Sequence, residues 1–336
     1  LEFRRVLFRS RLIISGLAAV GMAAAVSAAN AADFSPAIVF DMGGKFDKSF
    51  NQAAFDGAER FMKSSGVKYR EFEVTSPAQR EQAIRNMAKR GATIVVGIGF
   101  AQQAGLEKVA KEFPNTSFAI IDAVVDLPNV RSIVFKEHEG SFLVGMAAAL
   151  ASKTGKVGFV GGMDIPLIRN FAAGYAEGAK YVNSNVEVYQ NMTGTTPAAW
   201  NNPGKGAELA RSQFGRGADV VYAAAGGTGV GVYQAAVDEG KLAIGVDSNQ
   251  NYLHPGSMLT SMLKRVDVAV ESAFQDAKDG KFTAGILSLG IAEDGVGWAL
   301  DEHNRSLITP AMEARIEQAR KDIISGKIKV NGYQGS

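Results

Sequence analysis

Short apolar runs alternate with amphipathic segments of helical period along most of the chain from residue 36 onward. An apolar run of about five residues is typical of a buried strand, and apolar positions spaced by three and four are typical of a helix that covers a sheet. The first units are a strand over residues 36–40, a helix over residues 49–65 and a strand over residues 67–74. Repetition of this unit predicts an α/β fold with mostly parallel sheets.

The same pattern begins again at residue 156, which predicts a second lobe of similar build. A Gly-Gly pair follows a predicted strand three times, at residues 43–44, 161–162 and 226–227. Two lobes whose strand ends face each other are the simplest architecture that uses all three pairs. No single linker divides the chain, which favours lobes connected by several crossovers, as in hinged binding proteins.

The predicted lobes are discontinuous in sequence. We expect residues 33–135 plus about 258–290 to form the N-terminal lobe. Residues 136–257 plus about 291–330 are expected to form the C-terminal lobe, with a ligand cleft between the two.

Three further predictions concern single segments of the chain. A helix is predicted over residues 76–90, with Ser76 as its cap and Pro77 as its first residue. Residues 257–280 predict one long helical segment, and residues 292–304, which are polar and contain glycine, predict a hairpin.

The N-terminal segment has the features of a secretory signal peptide over residues 1–31. Four arginines precede an alanine-rich apolar stretch over residues 12–29, and Ala29-Asn30-Ala31 supplies the small residues of a cleavage site. A membrane anchor is the alternative, disfavoured by the weak hydrophobicity of the stretch. No cysteine follows to carry a lipid, so we expect a periplasmic protein. Residues 1–10 are hypothesised not to be native, because the chain starts with Leu1.

Charge and composition then narrow the function classes. The full chain has a formal charge of +2, but residues 1–31 hold four Arg and one Glu, so the rest has 32 basic and 33 acidic residues and a charge of −1. No basic block typical of nucleic-acid binding is present in that part. Cysteine is absent, which excludes thiolate metal sites, and the three histidines are far apart in sequence, which argues against a histidine-rich metal site. We expect neither a metal nor a cofactor.

Polar residues are concentrated in residues 41–51, between the first predicted strand and its helix. A strand, a glycine turn and a helix start place polar side chains and helix N–H groups at the carboxyl edge of a sheet, where open α/β folds bind ligands. Phe50 among them suits a ligand with a flat face and a polar rim better than a phosphate.

Several segments, in order along the chain, resemble the basic membrane protein (BMP) family of substrate-binding proteins for ABC transporters, in its branch similar to purine nucleoside receptor A. They are Asp41-Met42-Gly43-Gly44 with Asp47, Ser49, Phe50 and Asn51; Val157-Gly158-Phe159-Val160-Gly161-Gly162; Ala225-Gly226-Gly227-Thr228-Gly229; Ile244-Gly245-Val246-Asp247-Ser248; and Ser261-Met262-Leu263-Lys264. The resemblance implies a type I periplasmic-binding fold, with two doubly wound parallel-sheet lobes joined by three crossovers. It also implies that a purine nucleoside binds between the lobes and that an ABC permease receives it.

The resemblance implies a role for eight residues of this chain. Asp41, Asn51 and Asp122 would meet the base, and Phe50 would stack on it. Trp200 falls at the position of the second stacking aromatic, where the family more often has phenylalanine. Gly227, Asp247 and Lys264 match the positions that hold the ribose, and a lysine beside Asp247 would keep that carboxylate ionised.

Several residues of the resemblance also have a simpler interpretation. Asp47 or Ser49 could simply cap the following helix, and this interpretation is at least as good as contact with a ligand. Phe50 could be a core residue, Trp200 a contact between lobes, and Lys264 a solvated helix residue.

Enzyme functions are disfavoured because the motifs they need are missing. Residues 227–231 have the wrong glycine spacing for a dinucleotide fingerprint, and neither a phosphate-binding loop nor a nucleophile elbow occurs. We therefore expect a monomeric receptor that is not an enzyme. The alternatives are a receptor for a free base, a flavin or a sugar, an exported nucleoside-cleaving enzyme, and a ligand-sensing partner of a membrane receptor.

Overall fold

The computed structural model describes residues 34–335, so the predicted signal peptide and the hypothesis about residues 1–10 lie outside the described residues. Among the described residues, no helix is both long enough and apolar enough to span a membrane.

The described elements alternate along the chain as the hydrophobic pattern predicts. The strands are β1 (Pro36–Phe40), β2 (Arg70–Glu73), β3 (Ile94–Gly97), β4 (Ser117–Ile121), β5 (Val130–Phe135), β6 (Lys156–Met163), β7 (Glu187–Gly194), β8 (Val220–Ala224), β9 (Leu242–Asp247), β10 (Met258–Lys264), β11 (Gly285–Leu289) and β12 (Val296–Trp298). The α-helices are α1 (Phe50–Ser65), α2 (Gln79–Lys89), α3 (Gln103–Glu112), α4 (Glu137–Ala151), α5 (Pro166–Val182), α6 (Pro203–Gly215), α7 (Gly229–Asp238), α8 (Val266–Lys278) and α9 (Pro310–Ile324).

The strands form two six-stranded sheets with matching orders. The first is β11-β5-β4-β3-β1-β2 and is parallel throughout. The second is β12-β10-β9-β8-β6-β7, in which only the short edge strand β12 runs antiparallel. This confirms the predicted α/β fold with two doubly wound lobes.

The chain passes between the two sheets three times. It crosses through α4 after β5, returns through α8 after β10, and crosses again through residues 290–295 after β11. The predicted three crossovers are therefore present, and they meet near the ends of β5 and β10.

Helices cover both faces of each sheet, as parallel sheets require. Apolar side chains of α1 and α8 pack on one face of the first sheet, and those of α2 and α3 pack on the other. In the second lobe α4 and α5 cover one face, and α6 and α7 cover the other. Strands buried on both faces carry unbroken apolar runs, which is why the sequence pattern located them.

One secondary-structure prediction is wrong over residues 258–264. These residues form β10, which pairs with β9 in the second sheet, and only α8 is helical in the predicted segment 257–280. The strand is almost wholly buried, so its apolar run has no alternation, and a short buried run can be read as either element. The expectation that the first lobe begins again at about residue 258 fails for the same reason. The other lobe boundaries remain predictions.

Two smaller predictions also differ from the structure. Helix α2 begins at Gln79 without a side-chain cap, and Ser76 lies in the turn before it. The predicted hairpin over residues 292–304 contains one short strand, β12, whose partner is β10.

Candidate functional site

The carboxyl ends of strands from both sheets line one cleft between the lobes, with about 610 Å³ of space including its open mouth. A cleft between lobes that is lined mostly by apolar side chains with a few polar groups is typical of small-molecule binding. Seven of the eight residues singled out from the sequence line it: Asp41, Phe50, Asn51, Asp122, Trp200, Asp247 and Lys264. Gly227 is not among the lining residues, but its neighbour Gly226 is.

Asp47 caps helix α1. Its Oδ1 accepts hydrogen bonds from the backbone N–H groups of Ser49 (2.8 Å) and Gln52 (3.1 Å), and its Oδ2 accepts one from the N–H of Asn51 (3.1 Å). Burial raises the pKa of Asp47 to about 6, although these bonds act in the opposite direction. The capping interpretation of Asp47 is therefore correct, and the side chain of Ser49 does not cap.

Asn51 is held in one orientation by its neighbours. Its Nδ2 lies 3.4 Å from both the Asp41 carbonyl oxygen and Asp47 Oδ2, which are acceptors. A flipped amide would point its oxygen at these two acceptors, so the amide nitrogen stays on this side. Asn51 Oδ1 is left as a buried acceptor with no partner among residues 34–335.

Asp41 is paired with an arginine that the sequence patterns did not single out. Arg80 of α2 donates from Nε (3.0 Å) and from Nη2 (2.9 Å) to Asp41 Oδ1. The Asp41 side chain follows β1 into the cleft, with its Oδ2 beside Gly99 at the end of β3. No sequence pattern identifies this pair, because Asp41 follows strand β1 whereas Arg80 lies on helix α2 and resembles any other helical arginine.

Lys264 stands at the centre of a buried charge cluster. Its Nζ lies 2.7 Å from Asp122 Oδ2 and 3.1 Å from Glu137 Oε1, and all three side chains are at most 4% exposed. Burial by itself would lower the pKa of Lys264, but the charges of Asp122, Glu137 and Asp247 outweigh it and raise the pKa. Burial raises the pKa of Glu137, against the attraction of Lys264. The alternative that Lys264 is a solvated helix residue is wrong.

Glu137 is the member of this cluster that the sequence reasoning missed. It is the first residue of α4, the helix of the first crossover. Its Oε2 accepts a hydrogen bond from Asn170 Nδ2 of α5 (3.1 Å). A glutamate at the start of a largely apolar helix looks like an ordinary favourable charge at a helix N-terminus, which hides its contact with Lys264.

Asp247 is bonded by a serine rather than by the lysine. Ser49 Oγ donates to Asp247 Oδ2 at 2.5 Å. Burial raises the pKa of Asp247 to about 7, and the nearby charge of Lys264 and the bond from Ser49 counteract this only in part. The expectation that the lysine keeps this carboxylate ionised is therefore too simple, because the salt bridges of Lys264 go to Asp122 and Glu137.

Asp122 and Asp247 occupy equivalent places in the two lobes. Asp122 directly follows β4 and Asp247 is the last residue of β9, and each of these strands is third in the order of its sheet. Both residues have a left-handed backbone, with φ of 68° and 62°. Aspartate tolerates this conformation better than most residues. Two such residues at facing strand ends turn two carboxylates into one cleft.

Aromatic side chains contribute to the apolar lining of the cleft. Phe50, Phe171 and Trp200 are lining residues. The Trp200 ring packs directly over Gly162, where an added Cβ would lie 2.2 Å from Trp200 Cζ3. Trp200 also approaches the other lobe, since its Cβ lies 3.7 Å from the position of a Cβ on Gly43. It therefore has the geometry of a cleft wall and of a contact between lobes.

Hydrogen bonds join the two lobes beside the cleft. Ser248 Oγ donates to the Ser49 carbonyl oxygen (2.9 Å), and Gln250 Nε2 donates to the Lys48 carbonyl oxygen (2.8 Å). With the bond from Ser49 to Asp247, they hold residues 48–49 against residues 247–250. The lobes are closed on each other in this arrangement.

Comparison with known proteins gives a consistent result. The family model described as "ABC transporter substrate-binding protein PnrA-like" matches residues 34–334. A CD4+ T-cell-stimulating antigen of Listeria monocytogenes is 36% identical over 89% of this chain and 88% of its own length. An ABC transporter nucleoside-binding protein, BmpA, of Lactococcus lactis is 35% identical over 89% of each chain. The crystal structure of an ABC transporter solute-binding protein from Aeropyrum pernix superposes with a TM-score of 0.82 at 32% identity, covering 90% of this chain and 94% of that one.

Proposed function

Because the chain belongs to the PnrA-like (Bmp) family of ABC transporter substrate-binding proteins, we propose that it captures a purine nucleoside between its lobes. Membership of the family implies a small-molecule ligand and a membrane permease as the partner. We propose further that the protein acts as a monomer in the periplasm, and that it delivers the nucleoside unchanged.

The observation that carries the nucleoside proposal is that aromatic rings and charged side chains line the same cleft. Phe50, Phe171 and Trp200 offer flat apolar surfaces, on which a base can stack with about 1–3 kcal/mol per ring. Asp247 and Lys264 offer the polar groups that the ribose needs, since a carboxylate accepts hydrogen bonds from ribose hydroxyls and an ammonium donates to them. The name of the Lactococcus relative supports the same ligand class.

The lobe contacts support capture by closure. The base and the ribose can contact cleft residues of both lobes only when the lobes meet. A nucleoside therefore has a higher affinity for the closed arrangement and stabilises it. The hydrogen bonds from Ser248 and Gln250 to residues 48–49 add to the same state.

The first test is a thermal-shift panel on refolded, ligand-stripped protein. The panel compares guanosine, inosine, adenosine, a pyrimidine nucleoside, the free bases, ribose and riboflavin. A ligand at ~1,000 times its Kd adds about 4 kcal/mol to the folded state, which raises Tm by several degrees even in a chain of this length. We expect a large shift with purine nucleosides and none with ribose.

Two outcomes would contradict the proposal. If no nucleoside shifts Tm but a sugar or riboflavin does, the ligand class is refuted, while the assigned fold still stands. Conversion of inosine to hypoxanthine during incubation, measured by chromatography, would indicate the nucleoside-cleaving enzyme instead of a receptor.

Nucleoside affinity is expected to rise with pH between about 5.5 and about 7.5. Burial raises the pKa of Asp247 to about 7, and only the ionised carboxylate accepts bonds from two ribose hydroxyls, so binding releases a proton at lower pH. The gain is at most about tenfold per pH unit. Calorimetry in buffers of different ionisation enthalpy measures the released protons, and a free base, which lacks the ribose, is the control. A pH-independent nucleoside affinity would contradict the expected role of Asp247.

The same raised pKa acts in the opposite direction on the ligand-free protein. The folded-state pKa of Asp247 lies above its ordinary value of 3.8. Its contribution to the free energy of unfolding is therefore fully present below that value and is lost as pH rises through about 7. Binding and stability data must be compared at the same pH.

A further inference from the structure

Three oxygen atoms at the cleft have no hydrogen-bond partner among residues 34–335. Asn51 Oδ1 and Asp122 Oδ1 are buried atoms without a partner. Asp41 Oδ2 belongs to a lining side chain that is 8% exposed as a residue, and the hydrogen bonds of that side chain go to Oδ1. The two buried acceptors without donors are costly, and Asp41 Oδ2 faces the cleft beside them, so a ligand that brings donors to these oxygens gains affinity.

Each of the three oxygens is kept an acceptor by a different group behind it. Asp47 and the Asp41 carbonyl oxygen hold the amide nitrogen of Asn51 away from this role. Lys264 holds Asp122 Oδ2, which leaves Oδ1. Arg80 holds Asp41 Oδ1 with two N–H groups, which leaves Oδ2. In this arrangement none of the three atoms can donate.

We propose that Arg80 is a specificity-determining positioning residue, which fixes Asp41 as an acceptor so that the cleft prefers bases with a ring N–H and an adjacent amine. The inference rests on the proposed nucleoside function and names the preferred class within it, the 6-oxopurine nucleosides, with guanosine first. Arg80 acts through Asp41, because it is Asp41 and not Arg80 that lines the cleft.

The chemistry of the bases gives the preference its direction. Guanine carries a ring N1–H and a neighbouring amine, so it offers three N–H donors along one edge, and hypoxanthine keeps the ring N–H. Adenine has an acceptor at N1, which would face a carboxylate oxygen or an amide oxygen without a hydrogen between them. A site built to accept from an N–H rejects an analogue that lacks it, because its own polar atoms are then left unpaired.

Loss of the guanidinium should weaken this discrimination. In R80Q the Asp41 carboxylate loses the two N–H groups that fix Oδ1, so the side chain can turn and Oδ2 is no longer held in place as an acceptor. A carboxylate that can turn away from the base no longer penalises the N1 acceptor of adenine. The ratio of the two affinities, rather than either affinity alone, therefore reports on Arg80.

The experiment measures Kd by calorimetry for guanosine, inosine, adenosine and 1-methylguanosine with the wild-type protein, R80Q and R85Q. R85Q is the matched control, since Arg85 lies on the same helix and pairs with Glu81 and Glu112. We expect the wild type to prefer guanosine over adenosine and over 1-methylguanosine by about 10- to 100-fold. R80Q should reduce the ratio of guanosine to adenosine affinity by about tenfold, and R85Q should leave it unchanged.

The possible results separate the two proposals. Nucleoside binding without preference in the wild type, or an unchanged ratio in R80Q, would overturn the role of Arg80 and leave the proposed function standing. No binding of any nucleoside to the wild type would overturn the proposed function and this inference with it. If R80Q does not fold, R80K replaces it: a lysine keeps the charge but not the two-armed contact, so a reduced ratio supports the inference and an unchanged ratio overturns it.

Discussion

Replacement of Lys264 by methionine is expected to lower the free energy of unfolding of the ligand-free protein by about 3–5 kcal/mol. The substitution keeps a long apolar side chain but leaves Asp122 and Glu137 buried without their shared cation. It also removes an ammonium that lies 5.1–5.4 Å from the ring centres of Phe50, Phe135 and Phe171. The loss should be measured by reversible urea unfolding at about pH 7.5.

The pH dependence of that loss identifies its cause. Burial already raises the pKa of Glu137 in the presence of Lys264, and removal of the cation must raise this pKa further. Protonation of Glu137 at lower pH would then neutralise one buried charge, so the difference between the variant and the wild type should shrink towards pH 5 (about two units below neutrality).

A surface lysine provides the control for this experiment. Lys111 is 57% exposed in its side chain and pairs with Glu107 four residues earlier. Its replacement by methionine should change the free energy of unfolding by no more than about 0.5 kcal/mol. If the Lys264 variant lost no more than the Lys111 variant, the buried cluster would have no net role in stability.

The cleft could be predicted from the sequence because parallel strands bring their carboxyl ends to one edge of a sheet. Asp41, Asp122 and Asp247 each follow or end an apolar run, and the fold then places all three in the cleft. The family resemblance assigned Lys264 to the same cleft, although the segment that contains it was predicted to be a helix. A strand end is the correct location, since β10 finishes at Lys264 beside β9.

The groups that set the chemistry of these residues could not be predicted in the same way. Arg80 meets Asp41 across 39 positions of sequence, and Lys264 meets Asp122 across 142. Nothing in local spacing distinguishes Arg80 from the exposed arginines of other helices, or Glu137 from a glutamate at a helix start. The first contact depends on how α2 packs beside β1 within one lobe, and the second on how the two lobes meet; periodicity encodes neither.

Residues 47–51 show why one motif supported two interpretations. Asp47 satisfies the first N–H groups of α1, while Phe50 and Asn51 in the next turn line the cleft. The side chain of Ser49 does not cap α1, because its hydroxyl group donates to Asp247 of the other lobe. One short segment therefore both caps α1 and lines the cleft, and Asp47 does both.

Replacement of Asp247 by alanine is expected to weaken guanosine binding on the order of 100-fold while changing guanine binding little. A hydrogen bond to a charged group contributes about 1.5–3 kcal/mol, and a carboxylate can accept from two ribose hydroxyls that the free base does not have. Calorimetric titration of both ligands at about pH 7.5, where the wild-type carboxylate is mostly ionised, gives the ratio directly.

Asp122→Ala is the matched variant, because Asp122 holds the equivalent strand end in the other lobe and is expected to meet the base. It should weaken both ligands by similar factors. Equal losses of guanosine and guanine in the Asp247 variant would refute the ribose assignment. Loss of fold cannot imitate the expected pattern, since an unfolded protein would lose both ligands. Moreover, removal of a carboxylate whose pKa is raised by burial relieves a cost that the wild-type protein bears at this pH. The selective loss of guanosine would therefore occur in a protein that is no less stable on account of that charge.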